Sequence, residues 1–450
     1  MWLVSACGDG GVARALEDGA RCREARLAVE AFGQFTRGRP MAATGLSFNA
    51  VTDGGAVAGA AASPADGTGV GGAQAGGRLA GLLVAVKDLT AVAGMPLGLG
   101  NSARAFVPAE HSPVVQRLLD AGCVVVGKSA TSELGMTAYC EPVVDGVQLR
   151  EDAPQLLRGR TTGGSSGGAA VAVARGVVPV AHATDGGGSI RVPAAACGLV
   201  GFKPKHDTTG GALTADGFIT RSVADQAFMH GYQEHPSYVS PPRLRVGLVT
   251  APMHAPGAPV DDAWGAAACE AASRLSAAGH RVVEVEPYGP EFFEAFCAVL
   301  TVRARKIPRV VGETAIVSWL RDRGVDAAAD WAHTGPLLQV AESADARVRA
   351  HVDVDVLLSP TLAHDPPRLG YFSSMAPADD FAAQTAWTPW ASTQNLTGRC
   401  GISVPCGVLP SPGVSTGTSV LLGSVRVDEP TLLGVAREVF AAEVGLWPID

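Results

Sequence analysis

The residues best equipped for chemistry are two serines set among glycines. One lies in Gly163-Gly164-Ser165-Ser166-Gly167-Gly168, the other in Asp185-Gly186-Gly187-Gly188-Ser189, and 24 residues separate Ser165 from Ser189. Glycine bunches let backbone N–H groups approach a ligand closely, because no Cβ blocks the path and positive φ is open. A serine beside such groups can attack a carbonyl while the amides hold the resulting oxyanion. The pair reads as an acyl-transfer site, and such a site needs a base. No histidine sits in a recognisable triad motif, which leaves Lys87, directly after the apolar run Leu82–Val86. A desolvated lysine with a lowered pKa is a competent base, and a hydroxyl between it and the nucleophile can relay the proton. The plainer reading is a strand-end ammonium paired with Asp88, since a buried ammonium is costly without a partner. The two serine sites weigh against that reading.

These side chains need a scaffold, and the hydrophobic pattern supplies one. Strand-like runs occur at 82–86, 123–126, 178–183, 244–249, 281–285, 354–358, 402–404 and 418–422. Helical periodicity alternates with them over 12–37, 113–121, 167–175, 262–278, 291–304, 312–351 and 429–443. Pro113 after Ser112 has the look of an N1 proline behind an N-cap. Alternation of this kind predicts an α/β protein whose central mixed or parallel sheet is covered by helices on both faces. Length alone would suggest two or three domains. No repeat or convincing linker appears, so a single large domain is expected, with residues 52–78 as a Gly/Ala-rich surface loop.

Gly122-Cys-Val-Val-Val-Gly127-Lys128-Ser129 satisfies the P-loop pattern. A phosphate cradle needs its variable positions in a loop with N–H groups turned inward. Cys-Val-Val-Val is strand material, so a strand ending at Lys128 is expected and an ATPase is disfavoured. A net charge of −8 gives no electrostatic reason to bind nucleic acid or an anionic membrane. No apolar run approaches a membrane span. Nine cysteines without a C-x-x-C pair fit a reducing interior, and the opening MWLVSACGDG lacks a basic n-region, so a cytoplasmic location is expected. Cys197 and His182 read as core packing, His206 receives no role, and the sequon at Asn395 reads as a chance match.

Taken together, several motifs resemble the amidase signature family. They are Val84-Ala85-Val86-Lys87-Asp88, Gly163 to Gly168, Thr184-Asp185-Gly-Gly-Gly-Ser189-Ile-Arg191-Val-Pro193, Gly198-Leu-Val-Gly-Phe-Lys203-Pro204, Arg221-Ser-Val-Ala-Asp225, Leu358-Ser-Pro-Thr361 and Asn395-Leu-Thr-Gly398. The similarity runs in order from about residue 45 to 450, leaving residues 1–44 as a short helical arm. The resemblance implies a Ser–cis-Ser–Lys triad on one α/β domain. Ser189 would be the nucleophile, Ser165 the relay after a cis peptide, and Lys87 the base. The N–H groups of Gly186, Gly187, Gly188 and Ser189 would form the oxyanion hole, with Ser166, Asp185 and Arg191 in support. The implied activity is hydrolysis of a small-molecule amide without metal or organic cofactor, without nucleic acid or membrane, and with homodimerisation left open. The glutaminase subunit of a tRNA-dependent amidotransferase and a biosynthetic acyltransferase are the alternatives. An irregular 141–162 segment stands where the family has an Asn-Pro turn, so substrate choice stays open.

Overall fold

The computed structural model describes residues 77–150, 152–407 and 417–440 together with the backbone of Leu46–Ser47. The expected helix over 12–37, nearly all of the 52–78 loop and the arm over 1–44 lie outside the described residues. A mixed sheet of eleven strands runs through the molecule. In chain order its strands are β1 (Leu46–Ser47), β2 (Leu83–Lys87), β3 (Val124–Ser129), β4 (Val180–Asp185), β5 (Val200–Lys203), β6 (Ala215–Thr220), β7 (Arg245–Leu248), β8 (Arg281–Glu284), β9 (Val356–Pro360), β10 (Gly401–Pro405) and β11 (Ser419–Ser424). Their spatial order is β1-β3-β2-β4-β6-β5-β10-β11-β9-β7-β8. β2 runs parallel to β3 and β4, and β7 runs parallel to β8 and β9. The remaining neighbours are antiparallel.

Helices cover both faces, as the apolar runs of β2 and β3 require. Val114 and Val115 of the Pro113–Asp120 helix pack with Val86 and Val125 on one face. Ala169, Ala170, Ala172 and Val173 of the Gly167–Ala174 helix pack with Leu83, Ala85, Val124 and Val126 on the other. In the second half, the Asp262–Ala277 and Glu429–Val439 helices share one core with Val246, Val356 and Ile402. The Glu291–Ala304 helix lies across the opposite face against Leu357 and Leu421. No helix among the described residues is long and apolar enough to cross a membrane.

The P-loop pattern is indeed strand: Val124–Ser129 forms β3, buried throughout and parallel to β2. The register between these strands shifts by one residue, because Val84 pairs with Val125 whereas Ala85 pairs with Gly127. Val126 is thus an extra residue, a β-bulge that reverses the side-chain alternation beyond it. Ser112 occupies the N-cap position but its side chain makes no capping bond. The helical run expected over 312–351 is three helices, Ala315–Ala329, Trp331–Glu342 and Ala344–His351. The first break comes at Asp330, whose carboxylate accepts from the His333 N–H. Strands β5 and β6 were not anticipated; their glycines and polar residues dilute the period-two signal.

Candidate active site

Lys87 is the last residue of β2 and is fully buried. Its Nζ lies 2.8 Å from Ser165 Oγ, 3.2 Å from the Thr184 carbonyl oxygen and 3.0 Å from Thr184 Oγ1. None of these is a carboxylate. Burial pulls the amine down to about 7, opposed only by the more distant Cys140, Asp185 and Asp216. A neutral amine offers two N–H donors and one lone pair. In that form the two Thr184 oxygens would take the donors and the Ser165 hydroxyl would face the lone pair.

Asp88 does not pair with Lys87. Successive strand residues point to opposite faces, so Asp88 turns away from its neighbour. It accepts instead from Lys128 Nζ at 2.9 Å and from the Gly98 N–H at 3.0 and 3.1 Å.

Ser165 lies just before the buried Gly167–Ala174 helix, and the Gly164–Ser165 peptide is cis. Ser166 Oγ donates to the Thr184 carbonyl at 3.3 Å, so Ser166 and Lys87 share that acceptor. Thr184, which sequence reasoning passed over, therefore ties Lys87 to the serine segment. It was readable only as the residue before Asp185 in the motif.

Ser189 sits half-buried in the turn between β4 and the Arg191–Ala196 helix. Asp185 organises this turn. Its carboxylate accepts from the Gly188 N–H at 2.7 Å and the Ile190 N–H at 3.1 Å. Arg191 grips the same carboxylate with Nε and Nη2, both at 2.9 Å. Asn395 Nδ2 donates to the Asp185 carbonyl at 2.8 Å and to its carboxylate at 2.9 Å, while its own Oδ1 accepts from Arg191 at 2.7 Å. Burial alone would push the Asp185 carboxyl up; the Arg191 charge and hydrogen bonds, with Lys203 and Asn395, outweigh it and hold it below the usual range. Asn395, passed over as a chance sequon, is fully buried at the centre of this brace.

One expected oxyanion donor is otherwise engaged. The Gly188 N–H is directed at Asp185, which leaves Gly186, Gly187 and Ser189 with N–H groups that carry no hydrogen bond among the described residues. Gly188 serves the turn differently: its φ is +117°, and a Cβ there would stand 2.7 Å from that of Ala391.

Ser189, Gly186, Gly187 and Gly164 open on a cavity of about 210 Å³. Its walls are mainly apolar, with Leu134, Met136, Leu213, Phe293, Phe296 and Phe381. Phe293 stands near-parallel to three rings, 4.9 Å from His254, 6.0 Å from Phe296 and 6.4 Å from Phe381. Among the described residues no aspartate or glutamate lines the cavity, and the single arginine is Arg303, exposed. His254 Nδ1 lies 3.2 Å from Ser392 Oγ, and burial lowers its imidazole to about 3.

The remaining candidates lie apart from this cavity. His182 Nε2 meets Asp216 at 3.0 Å on β4 and β6, and Cys197 is buried with its Sγ 3.7 Å from the Thr162 carbonyl. His206 is half-buried, its backbone N–H on the Gly398 carbonyl at 2.9 Å.

A family model described as Amidase matches residues 42–432. The protein named "Putative amidase AmiB2" of Mycobacterium tuberculosis is 31% identical over 408 residues, covering 81% of this chain and 82% of that one. A Synechocystis protein named "Putative amidase" is 31% identical over 360 residues, covering 73% of this chain and 68% of its own. Among solved structures, 6-aminohexanoate cyclic dimer hydrolase with bound substrate superposes with a TM-score of 0.68 at 24% identity, covering 82% of this chain and 86% of that one. A bacterial aryl acylamidase of the amidase signature family superposes at 0.63 with 22% identity, covering 82% and 84%. These two share the fold with the chain described here. The chain belongs to the amidase signature family and is an amide-hydrolysing enzyme.

Proposed function

We propose that amide cleavage proceeds through an acyl-enzyme on Ser189, with Ser165 as proton relay and Lys87 as base. The observation that carries this reading is the buried Lys87 Nζ, 2.8 Å from Ser165 Oγ and without a carboxylate partner. Neutral Lys87 takes the Ser165 proton as Ser165 takes that of Ser189. The Ser189 oxygen bonds to the carboxamide carbon, and its carbonyl oxygen becomes an oxyanion. The N–H groups of Gly186, Gly187 and Ser189 receive that charge, each donor typically contributing about 10²–10³ in rate. The proton returns along the relay to the leaving nitrogen as the C–N bond breaks. Water then repeats the sequence on the ester, releasing the carboxylic acid and restoring Ser189.

The cavity favours an uncharged acyl part, aliphatic or aryl, because its walls offer ring faces and no counter-ion for a cation. The names of the two solved neighbours, one for a cyclic dimer of 6-aminohexanoate and one for aryl acyl amides, lie within that class.

The test is turnover of a panel of small aryl, aliphatic and peptide amides by the wild-type protein and Ser189→Ala. Wild type should hydrolyse at least one class and take up one fluorophosphonate equivalent by intact mass. Ser189→Ala should lose the label and about 10⁴-fold or more in rate. A Ser189→Ala protein that still turns over at the wild-type rate would overturn the assignment.

A further inference from the structure

Ser165 is held on a second side by contacts that the proton relay does not use. The Thr137–Tyr139 segment passes so close to Gly164 that a Cβ there would stand 2.3 Å from the Tyr139 carbonyl oxygen and 2.6 Å from its nitrogen. Any movement of this segment therefore moves the peptide that carries Ser165. The segment is itself fixed by the Pro377–Trp387 helix. The Ala138 N–H donates to Gln384 Oε1 at 2.6 Å, and Gln384 Nε2 donates to Asp380 Oδ1 at 2.5 Å. The Tyr139 hydroxyl donates to Asp380 Oδ2 at 2.8 Å.

The direction of this chain is dictated from one end. A backbone N–H can only donate, so the Gln384 carbonyl oxygen must face Ala138 and its NH₂ must face Asp380. Asp380 then accepts on both oxygens and is used as an anion. Tyr139, Asp380 and Gln384 are 1%, 3% and 6% exposed, and among the described residues no lysine or arginine bonds this carboxylate. Burial pushes the Asp380 carboxyl above its ordinary range, against the two hydrogen bonds it accepts. A buried anion held by two neutral donors is a demanding arrangement, stable only while both donors stay in place. The same helix gives Phe381, Gln384 and Thr385 to the cavity wall.

We propose that Asp380 and Gln384 are positioning residues for the reaction: the Pro377–Trp387 helix meets the substrate on one side and, through Tyr139 and Gly164, sets Ser165 against Lys87 on the other. The proposal rests on the Ser189–Ser165–Lys87 reading above.

The test exploits the donor–acceptor order. In Asp380→Asn, the new NH₂ either faces the Gln384 NH₂ and loses that bond, or faces Tyr139 and forces the hydroxyl to turn from donor to acceptor, and in both cases the anion that held the two donors is gone. Adding Gln384→Glu restores the order: one Glu oxygen accepts from Ala138, the other from the Asn NH₂, and the Asn oxygen accepts from Tyr139. On an uncharged amide, Asp380→Asn should lose about 10–100-fold in kcat with KM within about threefold, as expected for a misplaced catalytic group. The Asp380→Asn/Gln384→Glu protein should recover most of that loss. Should Asp380→Asn fail to fold, Tyr139→Phe, which deletes only the hydroxyl, must show the same kcat-dominated loss. Wild-type kcat in the single variants, a loss confined to KM, or recovery of melting temperature without recovery of kcat in the double variant would each overturn the proposal. Fluorophosphonate labelling of Ser189 in the wild type keeps the two readings apart: if Ser189→Ala abolishes label and turnover while Asp380→Asn keeps wild-type kcat, only the positioning role falls.

Discussion

At the scale of single residues, the proposed role of Lys87 as base predicts how the enzyme answers to pH. In that role its amine acts when neutral, and burial brings it to about 7. The kcat/KM of an uncharged substrate should therefore climb as pH rises through about 7 and then level, measured as a pH–rate profile; a flat profile across that range would count against Lys87 as base. The same burial acts on stability. In the unfolded chain a lysine holds its proton to about 10.4, so between the two values the unfolded state binds more protons and stability rises with pH. Below about 7 the full cost of burying Lys87 is present. Replacing it by methionine should abolish turnover, and the gain in melting temperature relative to wild type should be larger near about pH 6 than about pH 9. Lys128 behaves differently because Asp88 stands 2.9 Å away to stabilise its charge. The alternation rule could have separated these two lysines from the sequence, since residues 87 and 88 of one strand cannot share a face.

At the scale of elements, the turn after β4 and its brace set the position of Ser189. Gly188→Ala would force a side chain into the left-handed region and onto Ala391, and should cost about 10²-fold or more in kcat, the size of losing an oxyanion donor. Asn395→Ala should leave Arg191 and the Leu213 carbonyl each short of a partner; a lowered melting temperature together with reduced kcat is the outcome to measure. The glycines and serines of this turn stood out in the sequence because backbone approach to a ligand demands those residue types. The β2, β3 and β4 strands were also legible, being short apolar runs between breakers. Asn395 and Thr184 were not, since each works through contacts whose partners are set by the fold. The link between Tyr139 and Asp380 spans 241 positions, and neither residue belongs to a local pattern. The cavity walls from the Glu291–Ala304 and Pro377–Trp387 helices were hidden for the same reason: apolar side chains that face a substrate look like those that face a core.

At the scale of the whole molecule, the sheet gathers Lys87, Thr184 and Asp185 at the ends of β2 and β4, and helices from the second half of the chain help wall the cavity on which the neighbouring Gly186, Gly187 and Ser189 open. With no acidic residue in its lining among the described residues, this cavity should discriminate by charge. Between two amides of equal size, the one bearing an ammonium on its acyl part should show at least about tenfold lower kcat/KM, because that cation would be desolvated without a partner. The bulge at Val126 bears on the same electrostatics from a distance. Had the register continued from the Val84–Val125 pair, position 87 would face position 128, and two buried amines would sit side by side on one face. The extra residue instead sends Lys128 to the opposite face, where Asp88 stabilises its charge. The bulge thus insulates Lys87 from a second cation: drawing Val126 into regular pairing with Ala85 would slide Lys128 level with Lys87 and convert an isolated amine into half of a like-charge pair, with no change to any residue that touches the substrate.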